Sequence, residues 1–484
     1  MNVFLISHEI ATVLLGLALL LVDLWLPASE KRRLGYAAAA GVGAILLFSL
    51  FQFSIATVGT QNAFGTMFVL DPLALFFKRF FLLAALLVLM MSVEFADQIG
   101  SGISEFYALI LFALTGMMFA ASANDFTLFF VSLELITVTF YVLVSFQRGR
   151  MASLEAGVKY LIIGALASAF MVFGIALIYG TTGGKFGFVD LASVSGQLAG
   201  NKLFLCGLLM VLVGLGFKIA AVPFQLWAPD VYQGAPTPTT AFLAVGSKAA
   251  GFVLLLRLLF GALPGIAEQW RVLLMVLAGA TILYGNLCAI PQRDLKRLLG
   301  YSSISHAGYL LLGVVAFSEA GRAAVLFYLG GYLFAVLAAF TVICLVLREA
   351  DGAEIEKLAG LHQRSPLLAA TLTLAMVSLA GIPPLAGFFG KFLLLKSVIA
   401  AGSVCSCYYW LTFVALAGVV ISLYYYFGVI RAIYWGKDAA DLSPITLGWP
   451  IKAALAVCIA GMLFIGVYPN PLVNLANAAV KVLP

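Results

Sequence analysis

Apolar runs long enough to cross a bilayer follow one another through almost the whole chain, separated only by short polar or Pro/Gly breaks. Backbone groups inside hydrocarbon must pair with one another, so such a chain folds as helices or as a closed barrel. Runs of roughly 17–25 residues are helix lengths rather than strand lengths. Cut at the breaks, the sequence predicts spans at residues 8–26, 35–57, 73–93, 105–122, 126–146, 159–179, 203–222, 237–260, 271–290, 302–317, 322–347, 366–399, 408–434 and 447–468. The expectation is an all-α polytopic membrane protein of about fourteen transmembrane helices. Apolar residues make up 63% of the 484 and charged residues 10%, a balance that leaves no room for a separate soluble domain. The first apolar run lacks a basic leader and a small-residue cleavage site, so it is expected to stay as a span.

Charge and cysteine usage exclude several function classes. The net charge of +6 is small and lies mostly in loops, which gives nucleic-acid binding no support. Six cysteines are scattered, the closest pair being Cys405 and Cys407, without a CxxC or a Cys/His cluster. Disulfides, zinc, haem and iron–sulfur clusters are therefore not expected. Loop lysines and arginines set the orientation. One side collects Lys31, Arg32, Arg33, Arg148, Arg150, Arg293, Lys296, Arg297, Arg348, Lys357, Arg364 and Lys437, and the other shows Lys185, Lys202, Arg271, Arg322 and Lys481. The first set is expected in the cytoplasm and both termini on the outer side, the periplasm in a bacterium. An even number of helices requires the same.

Against this apolar background two lysines stand close to prolines. Lys218 precedes Pro223, and Lys391 follows Pro383 and Pro384. A charge at membrane depth costs about 3 kcal/mol on insertion scales, and a proline frees carbonyls that must find partners. Stability gives no reason to do both twice, whereas an ion pathway does. The breaks also suggest an internal repeat: each falls in the fourth helix of a five-helix unit, the arrangement expected of inverted repeats. The expected division is an N-terminal three-helix segment at 1–104, repeats at 105–265 and 266–436, and a last helix within 437–484.

Further polar residues lie inside spans. Glu134 sits near the middle of 126–146, too deep to reach the headgroups, and a nearby lysine would let the pair toggle with proton occupancy. Lys218 is the leading candidate, since a lysine that can lose its proton is what a relay needs; the alternative is a stem reaching water along the broken helix. Lys248 has small neighbours, Gly246, Ser247 and Ala249, that leave space for water or a facing helix. His306 lies among Ser302, Ser303, Ser305 and Tyr309, where an imidazole suits relaying, though interhelical hydrogen bonding is the open alternative. Lys391 is flanked by Gly387, Gly390 and three phenylalanines and reads as a relay group, while Lys396 reads as a surface-facing stem. Asp230 is a polar entrance residue or a cap, Asp71 before Pro72 a turn or N-cap, and Arg257 snorkels or pairs.

At these residues the chain resembles a known family. The run GFKIAAVPFQLWAPDVYQGAPTPTTAFL around Lys218, the run RDLKRLLGYSSISHAGY and the segment GIPPLAGFFGKF are similar to the antiporter-like subunits of respiratory complex I. The likeness spans essentially the whole chain. The lysine of GFFGKF, where some sister subunits carry glutamate, and the SHAGY motif look like the N-type of these subunits. The resemblance implies one proton channel of a membrane arm, in the inner membrane beside neighbouring antiporter-like and small membrane subunits. It implies that Glu134 and Lys218 form a charge pair, that Lys248 and His306 continue a polar axis, and that Lys391 serves the exit. Quinone reduction in other subunits would drive the translocase, and NADH, FMN, iron–sulfur clusters and quinone would be bound there. No motif in this chain binds any of them. Rival readings are a subunit of a multi-subunit sodium/proton antiporter, a hydrogenase-linked ion pump, and a structural scaffold, the last opposed by the buried charges.

Overall fold

The computed structural model describes residues 3–27, 29–55, 57–346, 352–403, 405–436 and 442–483. The chain opens with α1 (Ser7–Asp23) and α2 (Leu34–Gln52), followed by a small antiparallel hairpin of β1 (Gln61–Ala63) and β2 (Phe68–Leu70), in register Gln61 to Leu70. Then come α3 (Pro72–Phe95), α4 (Ile103–Ala121), α5 (Phe126–Val144), α6 (Met151–Thr181), a short α7 (Phe188–Ser195), α8 (Lys202–Ile219) and α9 (Trp227–Gly234). A single span, Thr237–Ala262, contains α10 (Thr237–Phe242), a π-helical turn at Leu243–Ser247, α11 (Lys248–Leu256) and a second π turn at Arg257–Ala262. The rest is α12 (Ala267–Ala289), α13 (Leu295–Val315), α14 (Glu319–Val346), a single-turn α15 (Leu361–Arg364), α16 (Pro366–Ala380), α17 (Ala386–Ala401), α18 (Cys407–Trp435), α19 (Trp449–Val467) and α20 (Asn470–Val480).

Thirteen helices among the described residues are long and apolar enough to cross a membrane. A further span is split into α16 and α17, so the bundle holds thirteen to fourteen crossings with discontinuous helices among them. Short polar residues cap the start of a few of these helices. Asp71 accepts from Ala74 N at 2.7 Å, Asp125 from Leu128 N at 2.7 Å and Asp294 from Arg297 N at 2.9 Å, each satisfying an amide that has no partner within its own helix.

The cap at Asp294 corrects one boundary. α13 begins at Leu295 rather than near 302, so Lys296 and Arg297 lie in its first turn and not in a loop. Lys296 is buried there and donates to Ala235 O at 2.5 Å. Arg348 and Lys437 lie outside the described residues. The cysteine expectation also changes: Cys405 and Cys407 are joined by a disulfide in the turn before α18, where their Cα atoms stand 5.3 Å apart, within bridging reach.

Packing sorts the helices by depth. The most apolar windows of Thr237–Ala262 and α13 are wholly buried, while those of α1, α2 and α6 are only one-third buried (33%). The outer helices present leucine, phenylalanine and valine to the lipid, so apolar composition alone does not separate the two classes. The fully buried pair, Thr237–Ala262 and α13, carries Lys248 and His306 into the centre of the bundle.

Candidate functional site

The site begins at the two helix breaks. α8 ends at Ile219, and Ala220 takes a left-handed conformation (φ 57°) whose N–H returns to Phe217 O at 3.1 Å. Other groups released by the break are also tied: Trp227 Nε1 donates to Phe217 O at 3.0 Å, and Val222 N to Thr281 Oγ1 at 3.0 Å. Lys218 therefore sits in the last turn of α8, at the carbonyl end of the helix, where a positive charge is favoured. Its Nζ is buried and donates to Thr137 Oγ1 of α5 at 2.9 Å.

Glu134 lies one turn before Thr137 on α5. Its carboxylate accepts from Ser168 Oγ of α6 at 2.5 Å and lines a cleft that opens outward between α5 and α6, beside Tyr141 and Phe173. The charges of Glu134 and Lys218 act on each other, but the direct partner of the lysine is a hydroxyl. Among the described residues the two make no ion contact.

Lys248 opens α11 immediately after a π turn, and its Nζ donates to both the carbonyl and the hydroxyl of Ser303 on α13. The Ser303 hydroxyl in turn meets Tyr232 OH at 3.0 Å and Tyr332 OH at 3.1 Å. One turn along α13, His306 has a phenol on each ring nitrogen: Tyr328 OH at Nδ1, and Tyr426 OH at Nε2 at 3.0 Å. The hydroxyl of Tyr426 continues to Ser302. With one hydroxyl on each side, either imidazole tautomer can accept on one nitrogen and donate from the other. The rings of His306 and Tyr332 are 5.1 Å apart, which joins the Lys248 group to the histidine group.

The second break is built differently. α16 ends at Ala380, Gly381 turns left-handed (φ 86°), and α17 restarts at Ala386. Lys391, in the second turn of α17, reaches back across the break and donates to Ala380 O at 3.0 Å. Its Nζ also lies 5.0 Å from the centroid of the Tyr309 ring, a cation–π distance. The charges of both Lys391 and Lys248 reach His306.

Lys218, Lys248, His306 and Lys391 are thus all buried at 4% exposure or less. Lys248, His306 and Lys391 converge on one cluster of hydroxyls and rings, Lys218 stands against Thr137, and Glu134 lies at the outer edge. Ser302 and Ser303 take part, whereas Ser305 turns back to Ser302 O within its own helix. Lys396 is exposed.

Sequence reasoning missed the tyrosines of this cluster. Tyr328 and Tyr332 are four residues apart in the run FYLGGYLF, on one face of α14, and that spacing is a usable signal. Tyr232 and Tyr426 carry no such signal, because only the folded bundle brings them to His306 and Ser303. The remaining candidates join ion networks. Asp71 caps α3 and also pairs with Arg257 at 2.9 Å; Asp230 pairs with Arg297 at 2.5 Å and with Lys159 at 2.8 Å. A buried Lys78–Glu9 pair at 2.7 Å was also overlooked. No three His, Cys, Asp or Glu side chains among the described residues are grouped to hold a metal.

Comparison with known proteins adds an independent line. Residues 123–422 match the family described as NADH:quinone oxidoreductase/Mrp antiporter, transmembrane. The chain is 40% identical over 483 residues to a protein of Desulforamulus reducens named NADH-quinone oxidoreductase subunit N, covering 99% of this chain and 98% of that one. It is 34% identical to a chain in the structure of respiratory complex I from Thermus thermophilus with bound aureothin, with a TM-score of 0.79 and coverage of 97% and 99%. It shares its fold, at 22% identity and a TM-score of 0.82, with a chain of the Mrp complex from a Dietzia species, covering 100% and 98%.

Proposed function

The chain belongs to the NADH:quinone oxidoreductase/Mrp antiporter family, among its subunit-N members, and from that premise we propose that it moves protons in the membrane arm of an NADH:quinone oxidoreductase. The observation that carries the reading is a row of three buried lysines and a histidine, none of them in an ion contact with a carboxylate among the described residues. Burial of so much like charge has no value for stability, and it makes the energy of each group depend on the proton occupancy of the next.

In this reading Lys218 takes up a proton against Thr137, with the charge of Glu134 close by. Lys248 passes a proton to the Ser303 hydroxyl and its tyrosines. His306 relays between Tyr328 and Tyr426, and Lys391, held by its hydrogen bond to the Ala380 carbonyl, releases its proton to water on the exit side. Redox energy comes from partner subunits, and this chain performs no redox step.

The proposed repeats at 105–265 and 266–436 are supported by matching contacts: α6 packs on both α8 and α9, and α14 packs on both α16 and α17. The third helix of each unit thus grips both pieces of the fourth. The loop charges support an orientation with both termini on the outer face of the inner membrane.

The test is affinity purification of the tagged chain in mild detergent, assayed for NADH–quinone oxidoreduction and for flavin and iron–sulfur absorbance. Activity and cofactors in the purified assembly support the reading. An assembly of membrane subunits without redox centres would replace it with a sodium/proton antiporter.

A further inference from the structure

Away from the broken helices, the N-terminal segment holds a second buried charge cluster. Glu9 in the first turn of α1 and Lys78 in α3 touch at 2.7 Å, with exposures of 1% and 0%. They touch without the alignment of a hydrogen bond. Beside them His8 is 1% exposed, and neither of its ring nitrogens has a hydrogen-bond partner among the described residues. The imidazole is faced by the rings of Phe48 and Phe53, at 6.1 and 6.4 Å, and lies within reach of the charges of Lys78 and Arg79. Arg79 itself is engaged with the carbonyls of Ser49 and Phe53, both at 2.5 Å, and Lys78 lies 4.7 Å from the centroid of Phe68.

The same place concentrates unsatisfied polar atoms. Of the 17 buried side-chain N and O atoms without a hydrogen bond among the described residues, eight lie here: three belong to the Glu9–Lys78 ion pair, and the other five, on Ser7, His8 and Gln52, have no such partner. Gln52 is one turn beyond Phe48 and next to Phe53, the two rings that touch His8. Buried polar groups are normally paired, and a group of orphans calls for a ligand that pairs with donors and acceptors alike. A clamp between α1 and α3 needs the ion pair only, and replacing such a pair by neutral side chains of like volume is commonly neutral or stabilising. It does not need an adjacent imidazole with both nitrogens open.

We propose that His8, Glu9 and Lys78 form a hydrated proton-holding site in the N-terminal three-helix segment, separate from the Lys218–Lys391 axis and close to the membrane face on which the chain begins. The carboxylate of Glu9 and the unprotonated ring nitrogen of His8 are the acceptors. Lys78 is the fixed counter-charge beside Glu9, and no other bond forms or breaks. The site rests on the reading that this chain carries protons.

The test uses the assembled complex in liposomes, with NADH-driven proton uptake and reaction-induced infrared difference spectra, for His8→Phe and for the neutral pair Glu9→Gln/Lys78→Met. Lys218→Ala is measured alongside. The expected result is normal assembly, a loss of proton uptake in both N-terminal variants, and the disappearance of a carboxyl band in the neutral pair. Unchanged uptake and spectra in both, with Lys218→Ala impaired, would overturn this site and leave the main axis standing. Failure of the neutral pair to assemble would overturn it too, by making the charges structural. Unchanged uptake in Lys218→Ala as well would show that the underlying reading of the chain had failed.

Discussion

The two broken helices solve the same problem with opposite geometry. At the first break the lysine belongs to the segment that ends: Lys218 lies within the last turn of α8, and its ammonium meets a hydroxyl on another helix. At the second the lysine belongs to the segment that restarts, and Lys391 reaches back to the terminal carbonyl of α16. Both ammonium groups stand at the carbonyl end of a half-helix, where backbone dipoles offset part of the cost of burial. The difference lies in the company they keep. Lys218 has the Glu134 carboxylate within electrostatic reach, whereas Lys391 has the Tyr309 ring and a neighbouring histidine. A break in a membrane helix thus fixes where a cation can sit, and the helices packed around it decide what the cation responds to.

The largest test of this comparison is to remove each lysine in turn. Lys218→Ala and Lys391→Ala should each lower NADH–quinone turnover by about tenfold, a modest fraction of what the loss of a positioned proton-transfer group costs. Native gels should show full assembly. A normal rate in only one of the two would break the equivalence of the breaks.

The turns themselves should respond unequally. A Cβ on Gly381 would lie 2.8 Å from Lys391 Cδ at φ 86°, so Gly381→Ala combines a clash with left-handed strain of roughly 1–2 kcal/mol. It should lower both thermal stability and turnover. Ala220 is left-handed already, and Ala220→Gly removes that strain, so its melting temperature should stay level or rise. A fall at Ala220→Gly as large as that at Gly381→Ala would show that the turns do not differ in this way.

Smaller effects sharpen the picture of the partners. Thr137→Val removes the hydroxyl that accepts from Lys218, and turnover should fall by about fivefold, equivalent to roughly 1 kcal/mol for one hydrogen bond. Lys396→Ala, five residues beyond Lys391 but exposed, should leave turnover close to that of the unaltered complex. An equal loss at Lys396 and Lys391 would contradict the assignment of Lys391 to the axis.

Much of the fold was legible because the bilayer imposes helix lengths and forbids uncompensated charge. The breaks at Pro223 and Pro383-Pro384, and the lysines beside them, were visible for the same reason. The start of α13 was not, since a charged stretch around Lys296 and Arg297 reads as a loop until the Asp294 cap and the burial of Lys296 are seen. Nor was the division of labour around His306. Serines one, three and four residues away suggested a wetted path, yet phenols from α14 and α18 hold the ring, and no local pattern brings Tyr426 to it. The pairing of Glu9 with Lys78 joins two helices that are neighbours only in the bundle.

The central claim is that protons cross on this chain's own lysines. Its most direct test is proton uptake per NADH oxidised, in liposomes containing the purified complex with Lys218→Ala beside the unaltered one at equal flavin content. The account predicts that uptake and quinone reduction both fall while cofactors and subunits stay in place. Unchanged uptake at unchanged turnover, in a fully assembled Lys218→Ala complex, would contradict it.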